Sequence, residues 1–188
     1  AAAAVRSIDP DSSKEEKDLL LSAFNANEEN ICSLIIKQMK NDNEILPDDK
    51  LIQYLNEDSF MVRNASLSVS KARASEVLLP HIIQCLSDPR SAMSARSALQ
   101  VFNDDDVTKL VIDNTQKKNV EKSLVIGTVR TIKKYPTKDA INMLLSAVSP
   151  KVPPIQAEAV DSLIHIAREH PLDEKQIAIT KEELIKTS

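Results

Sequence analysis

Glycine is nearly missing: Gly127 is the single one in 188 residues. A glycine-rich phosphate loop, a dinucleotide-binding turn and an EF-hand loop each need glycine where a side chain would clash. All three are excluded, as are hairpins closed by Asn-Gly or Asp-Gly. Tryptophan is absent and aromatic residues make up 3%, namely Phe24, Phe60, Phe102, Tyr54 and Tyr135. The core must therefore be aliphatic, and a base-stacking platform has little to be built from. No apolar stretch approaches the roughly 18 to 20 residues that span a bilayer, and none has the pattern of a signal peptide, so a soluble chain is expected. Cys32 and Cys85 lie in helical apolar patterns, which suits a reducing compartment better than a disulfide framework and provides no zinc set.

What is present is a chain 42% hydrophobic and 28% charged, enough to bury the core of one domain or a short repeat array. Its formal charge of -4 is unevenly spread: residues 1–62 carry a net -7, 63–106 are neutral, 107–138 carry +6 and 139–188 carry -3. The basic stretch holds Lys109, Lys117, Lys118, Lys122, Arg130, Lys133, Lys134 and Lys138 against Asp113 and Glu121. An elongated chain of this kind is electrically polar along its length.

Apolar residues recur at helical spacing almost throughout, and short breaks carry capping residues or proline, so the expectation is all-α. Ser12 or Ser13 opens a helix to about Asn25, and Asn27 caps one carrying Ile31, Leu34, Ile35 and Met39. Pro47 takes a first helical position, Asp58 or Ser59 opens the next helix, and Pro80 lies early in one with Val77, Ile82 and Leu86. Met93, Ala95, Ala98 and Leu99 mark another, and Asp104 to Asp106 supply a cap and a first-turn acid cluster for a helix through Val107 and Val111. The later helices are expected at about Val120 to Lys134, Lys138 to Val148 and Pro154 to Glu169. Residues 1–12 read as a disordered or added N-terminus, Ala1 to Ala4 being uninformative, and 13–188 as one domain that is a piece of a longer chain.

The helices pair, and the pairs repeat. With Val62, Met93, Val120 and Ile155 as the first apolar anchors of the second helices, the spacing is irregular but lies near thirty residues, about that of a helical-hairpin repeat. Over about residues 47–170 the chain resembles the HEAT-repeat family. Val62-Arg63 followed by Ala65, and Ile155-Gln156 followed by Glu158-Ala159-Val160-Asp161-Ser162-Leu163, are similar to its Asp-x-x-Val-Arg-x-x-Ala-x-x-Ala-Leu pattern. No acidic turn precedes Val120, and Ser149-Pro150 stands where that pattern has Asp. The run Leu79 to Arg90, with Ala95 to Leu99 after it, resembles the HEAT region behind the membrane domain of major-facilitator or nucleotide-translocase-like transporters. Val120 to Val148 resembles it too. In that family a cyclic-nucleotide-binding domain can follow, and Thr180 to Ser188 reads as the start of a further helix.

The resemblance implies an armadillo-like α-solenoid of about five HEAT-like hairpins, with a concave surface formed by the second helices. It implies a non-catalytic scaffold or regulatory module, cytoplasmic and tethered to a membrane through a parent chain. The candidate interaction surface is Arg63, Arg96, Lys118, Lys122, Arg130 and Gln156. The expected partner is a protein or an adjacent domain of the same chain, with weak contact to anionic membrane and no specific nucleic acid. No cofactor, metal or catalytic residue is expected. The alternative is a HEAT-like enzyme acting on DNA bases or bilin chromophores. His165 and His170 are five residues apart, about 140° on a helix, so they do not form one ligand face. His81 and Cys85 share a helical stripe with Leu78 and Ile82 and read as packing. Gly127, inside a helix, reads as a close crossing.

Overall fold

The computed structural model describes residues 29–38, 46–115, 119–148, 153–170 and 178. Among them are nine α-helices, two short 3₁₀ turns and no strand, so the chain is all-α. The helices are α1 (Glu29–Gln38), α2 (Asp48–Leu55), α3 (Phe60–Arg73), α4 (Leu79–Gln84), α5 (Pro89–Leu99), α6 (Asp104–Thr115), α7 (Lys122–Ile132), α8 (Lys138–Ala147) and α9 (Pro153–Glu169). The expected helix at Ser12 to Asn25, the Asn27 cap, Met39 and the Thr180 to Ser188 segment lie outside the described residues.

Local chemistry sets the boundaries. Ser59 is the residue that opens α3, its hydroxyl accepting from the Val62 amide at 3.4 Å. Thr137 does the same for α8 through the Ala140 amide at 3.1 Å. Two expectations shift by one residue. Pro47 precedes α2 in extended backbone rather than occupying its first turn. Asn103, not Asp104, caps α6, taking the Asp105 amide at 2.9 Å, so the three aspartates fill the first turn, where the helix dipole favours them. Pro80 sits in the first turn of α4, where a missing N–H leaves no hydrogen bond unmade.

The chain divides into two compact units, Ala1–Cys85 with Arg90–Val101, and Leu86–Pro89 with Phe102–Ser188. In the first, α3 packs on α1 and α2, and α2 on α4 and the 3₁₀ turn Glu76–Leu78. Ile35, Ile36, Leu51, Leu55, Leu67, Ile82 and Ile83 are buried there. In the second, α7 packs on α6 and α9, and α8 on α6 and α9. Val107, Val111, Ile132, Leu144 and Leu163 are buried in it. Each unit thus joins a first helix to its own second helix, a first helix to the next first helix, and a second helix to the next second helix.

The second helices carry small and hydroxyl residues inward. Ser66 and Ser70 on α3 and Thr128 and Thr131 on α7 are buried. Each returns its hydroxyl to its own helix, as in Ser66 to the Val62 carbonyl at 2.9 Å and Thr131 to the Gly127 carbonyl at 2.7 Å. Such back-bonding satisfies a buried hydroxyl without a partner helix, so neighbouring helices approach closely at no unpaired polar cost. Met93 corrects the expected pattern: it is 75% exposed, and Ala92 and Ala95 take the inner face of α5. Ala92, Ala95 and Leu99 recur at helical spacing on one side of α5, and Met93, about 100° round the helix from Ala92 and about 200° from Ala95, falls off that side. Val77, also expected inward, is 59% exposed, because residues 76–78 form a 3₁₀ turn with a different angular step from an α-helix.

Candidate functional site

Of the expected surface residues, Arg63 on α3 and Arg96 on α5 belong to the first unit, and Lys122 and Arg130 on α7 and Gln156 on α9 to the second. Lys118 lies outside the described residues. Lys122 and Arg130 are exposed, and Arg63, Arg96 and Gln156 are half-buried. Lys122 and Arg130 share α7, about 80° apart around its axis.

Arg63 is bonded into the fold. Its guanidinium donates to the Glu57 carbonyl at 2.6 Å and to the Ser91 hydroxyl at 3.3 Å. Two neighbouring links join the same pair of helices: Asn64 donates to the Arg90 carbonyl at 3.3 Å, and Lys71 to the Ser97 hydroxyl at 2.9 Å. The Arg90 guanidinium lies 5.2 Å from the centre of the Phe60 ring, a cation–π contact that closes this edge.

In the second unit the basic face of α7 is partly answered by α9. Arg130 donates to the Glu158 carboxylate and forms an ion pair with it, and the Lys133 ammonium lies 3.4 Å from Asp161. The hydrogen bond to Glu158 raises the pKa of Arg130, and the Arg130 hydrogen bond holds the Glu158 carboxyl below its ordinary 4.5. Lys122, Lys134 and Lys138 make no ion pair among the described residues, so the positive field survives at the start of α7 and in the segment after it, and is reduced around its last turn. From the sequence, neutralisation by acids of the third or fifth hairpin is the alternative to a free basic patch, but Glu158 and Asp161 are not singled out. The available signal was a spacing: Arg130 to Glu158, Lys133 to Asp161 and Arg63 to Ser91 are each 28 residues apart.

This pairing has a testable pH dependence. Because the folded pKa of Glu158 is depressed, its contribution is present above about pH 4.5, the ordinary value, and is lost as pH falls through the lower folded value. The Arg130 side chain is 51% exposed, so solvent screens the pair and its worth is about 0.2–1 kcal/mol. Glu158→Gln should lower the melting temperature by about 1–3 °C at pH 7 and by nothing measurable near pH 3. A difference that persists unchanged at pH 3 would contradict the assigned cause.

The Cys85 thiol, buried, donates to the Leu55 carbonyl at 3.4 Å. Burial, with Glu29 and Glu57 nearby, raises the pKa of Cys32, which keeps it a thiol rather than a nucleophilic thiolate. His165 stands 3.6 Å from Glu169 on the same helix, and no group of three or more metal-ligating side chains occurs among the described residues. No described helix is long and apolar enough to cross a membrane. Compared with known proteins, the chain matches no family model and no curated protein.

Proposed function

We propose that this chain is a non-catalytic α-solenoid of HEAT-like hairpins, a scaffold or regulatory module that works through the exposed side chains of its second helices. The observation that carries the reading is the recurrence of side-chain links at a separation of 28 residues in both units. Side-chain links between successive second helices at separations of 26 to 33 residues are what stacked copies of one supersecondary unit produce, each burying the face of the last. The stacking of first helix on first helix and second on second within each unit supports it.

Its partner is a protein or an adjacent domain of the same chain on the cytoplasmic side of a membrane, engaged by Arg96, Lys122, Gln156 and the free ends of α7. Photo-crosslinking residues placed at Arg96, Lys122 and Gln156 in cells should each capture one discrete protein, or one segment of the parent chain, while the exposed first-helix position Gln53 captures neither. Equal labelling from Gln53, or none from any position, would refute the reading.

The basic segment gives weak contact with anionic lipid. Vesicles containing phosphatidylserine should sediment the protein at low salt, and Lys118→Glu with Lys122→Glu should reduce this severalfold. Salt at about 0.5 M, where the Debye length is about 4 Å, should remove it. Glu158→Gln with Asp161→Asn should act in the opposite direction, since both free a cation on α7. Sedimentation indifferent to both pairs of substitutions would remove the lipid contact.

A further inference from the structure

A groove of about 700 Å³ runs between α6 and α8, wholly within the second unit, a volume in the range of ligand-binding clefts. One wall is a single face of α6, carrying Asp105, Lys109, Ile112 and Asp113. Their spacing of 4, 7 and 8 residues from Asp105 keeps them on one side of a helix. The other wall includes Asp139 and Met143 of α8, four residues apart. Between the walls the Thr137 hydroxyl donates to that of Thr108 at 3.4 Å, and Thr108 is buried.

The acids that line this groove are not used within the fold. Asp48, Glu158 and Asp161 are each paired to a base on a neighbouring segment. Asp105, Asp113 and Asp139 are exposed, and among the described residues their carboxylates make no ion pair or hydrogen bond. Three carboxylates against the one ammonium of Lys109 leave the lining at -2, with Asp113 inside the most lysine-rich stretch of the chain and Asp105 and Asp139 on either side of it. The acids are gathered on the α6 and α8 faces while α7 carries bases. Like charges held together without partners destabilise the free groove and favour a cationic occupant.

The spread of the acids selects among cations. They do not converge as metal ligands. Asp105 and Asp113 are eight residues apart, about 12 Å along the helix axis. In an extended peptide, residues i, i+2 and i+4 point to one side, and i to i+4 spans about 13 Å. Ile112 and Met143, both half-buried, offer an apolar side chain a surface that a bare polyamine would leave unused. We propose that the α6–α8 groove docks an extended basic peptide of the pattern basic-x-apolar-x-basic, its two cations on the aspartates and its central side chain on Ile112 and Met143. The basic face of α7 takes no part in this docking.

Fluorescence anisotropy on the whole chain tests it with a labelled peptide centred on Lys-Ser-Leu-Ser-Lys. Saturable binding at about 10–500 µM is expected, the strength of a few exposed pairs and one small apolar contact. Asp113→Asn alone should weaken it about twofold, and Asp105→Asn, Asp113→Asn and Asp139→Asn together about fivefold or more. Asp113→Asn touches no helix N-terminus, so it keeps the test valid if the triple variant is less stable. Replacing the central leucine by serine, or Met143→Ser, should weaken binding about threefold, whereas Lys118→Glu with Lys122→Glu should not weaken it. No saturation below millimolar peptide, unchanged affinity in the triple variant, or indifference to the central leucine would each overturn the docking. So would displacement by spermine at the peptide's own concentration, since an amine alone would then suffice.

Discussion

Gly127→Ala is expected to lower the unfolding free energy by about 1–2 kcal/mol, although alanine is the better helix former by about 1 kcal/mol. Gly127 lies buried in α7 facing the 3₁₀ turn Cys85–Ser87, and a Cβ built on it would stand 2.2 Å from the Leu86 carbonyl oxygen and 2.9 Å from the carbonyl carbon. The obstacle is backbone, so it cannot rotate away as a side-chain tip would, and either α7 or the turn must move. Overpacking of this kind costs about 1–3 kcal/mol, and more where backbone is displaced, which outweighs the gain in propensity. Gly127→Val, with two more methyl groups and a β-branch, should cost about 3 kcal/mol or more. For a domain of this size the alanine variant should melt about 3–8 °C lower. Urea titration of the two variants decides the matter, and an alanine variant more stable than the parent would show that no close approach exists.

A loss of about 2–3 kcal/mol is expected for Arg73→Ala, from a mechanism that involves no packing volume. The Arg73 side chain, 9% exposed, donates to the Leu46 carbonyl at 2.5 Å and to Asp48 at 3.3 Å. Ser75 donates to the other oxygen of Asp48 at 2.5 Å. Between Arg73 and Ser75 lies Ala74, in left-handed backbone at φ 50° and ψ 37°, a conformation that costs a residue with a Cβ about 1–2 kcal/mol. Glycine commonly closes helices there, and in this chain the two flanking bonds to Asp48 hold alanine in its place. Truncating Arg73 removes a charged donor from a buried carbonyl, unpairs Asp48 and releases one side of the Ala74 turn. Arg73→Lys should recover less than half, because one ammonium does not reproduce a planar fork reaching two acceptors. With Asp48→Asn as the second mutation, a double-mutant cycle should show coupling above about 1 kcal/mol, and strict additivity would refute the link.

The α class was legible because each helix carries its own signals. Thr137 and Ser59 cap where hydroxyl residues precede apolar periodicity, and α8 and α9 begin and end within a residue of their expected limits. Gly127 stood out as a lone glycine inside a helical pattern, which only a close approach justifies. Met93 was misread because its hydrophobicity outweighed its place on the helix, where Ala92, Ala95 and Leu99 form the buried side. The basic stretch was visible as a run of charge with acids in the neighbouring hairpins, but which acids meet Arg130 and Lys133 was not, since Glu158 and Asp161 lie a full helix pair further along. The α6–α8 groove was invisible for a related reason: Asp113 reads as one of two acids in a basic segment, and its companions Asp105 and Asp139 fall in the stretches on either side.

By itself, the sequence determined that the chain is helical, where α8 and α9 start and stop, that the core is aliphatic, and that a single glycine excludes glycine-dependent phosphate and calcium loops. These are properties of one segment at a time, set by backbone sterics, capping groups and a 3.6-residue period. Tertiary structure alone decided which charges meet, which apolar side chain stays in water, and where two helix faces stand far enough apart to leave a groove. Those outcomes depend on the register and separation of helices about thirty residues apart in the chain. A shift of one residue would rotate each face by about 100° and change every partner without altering any local signal.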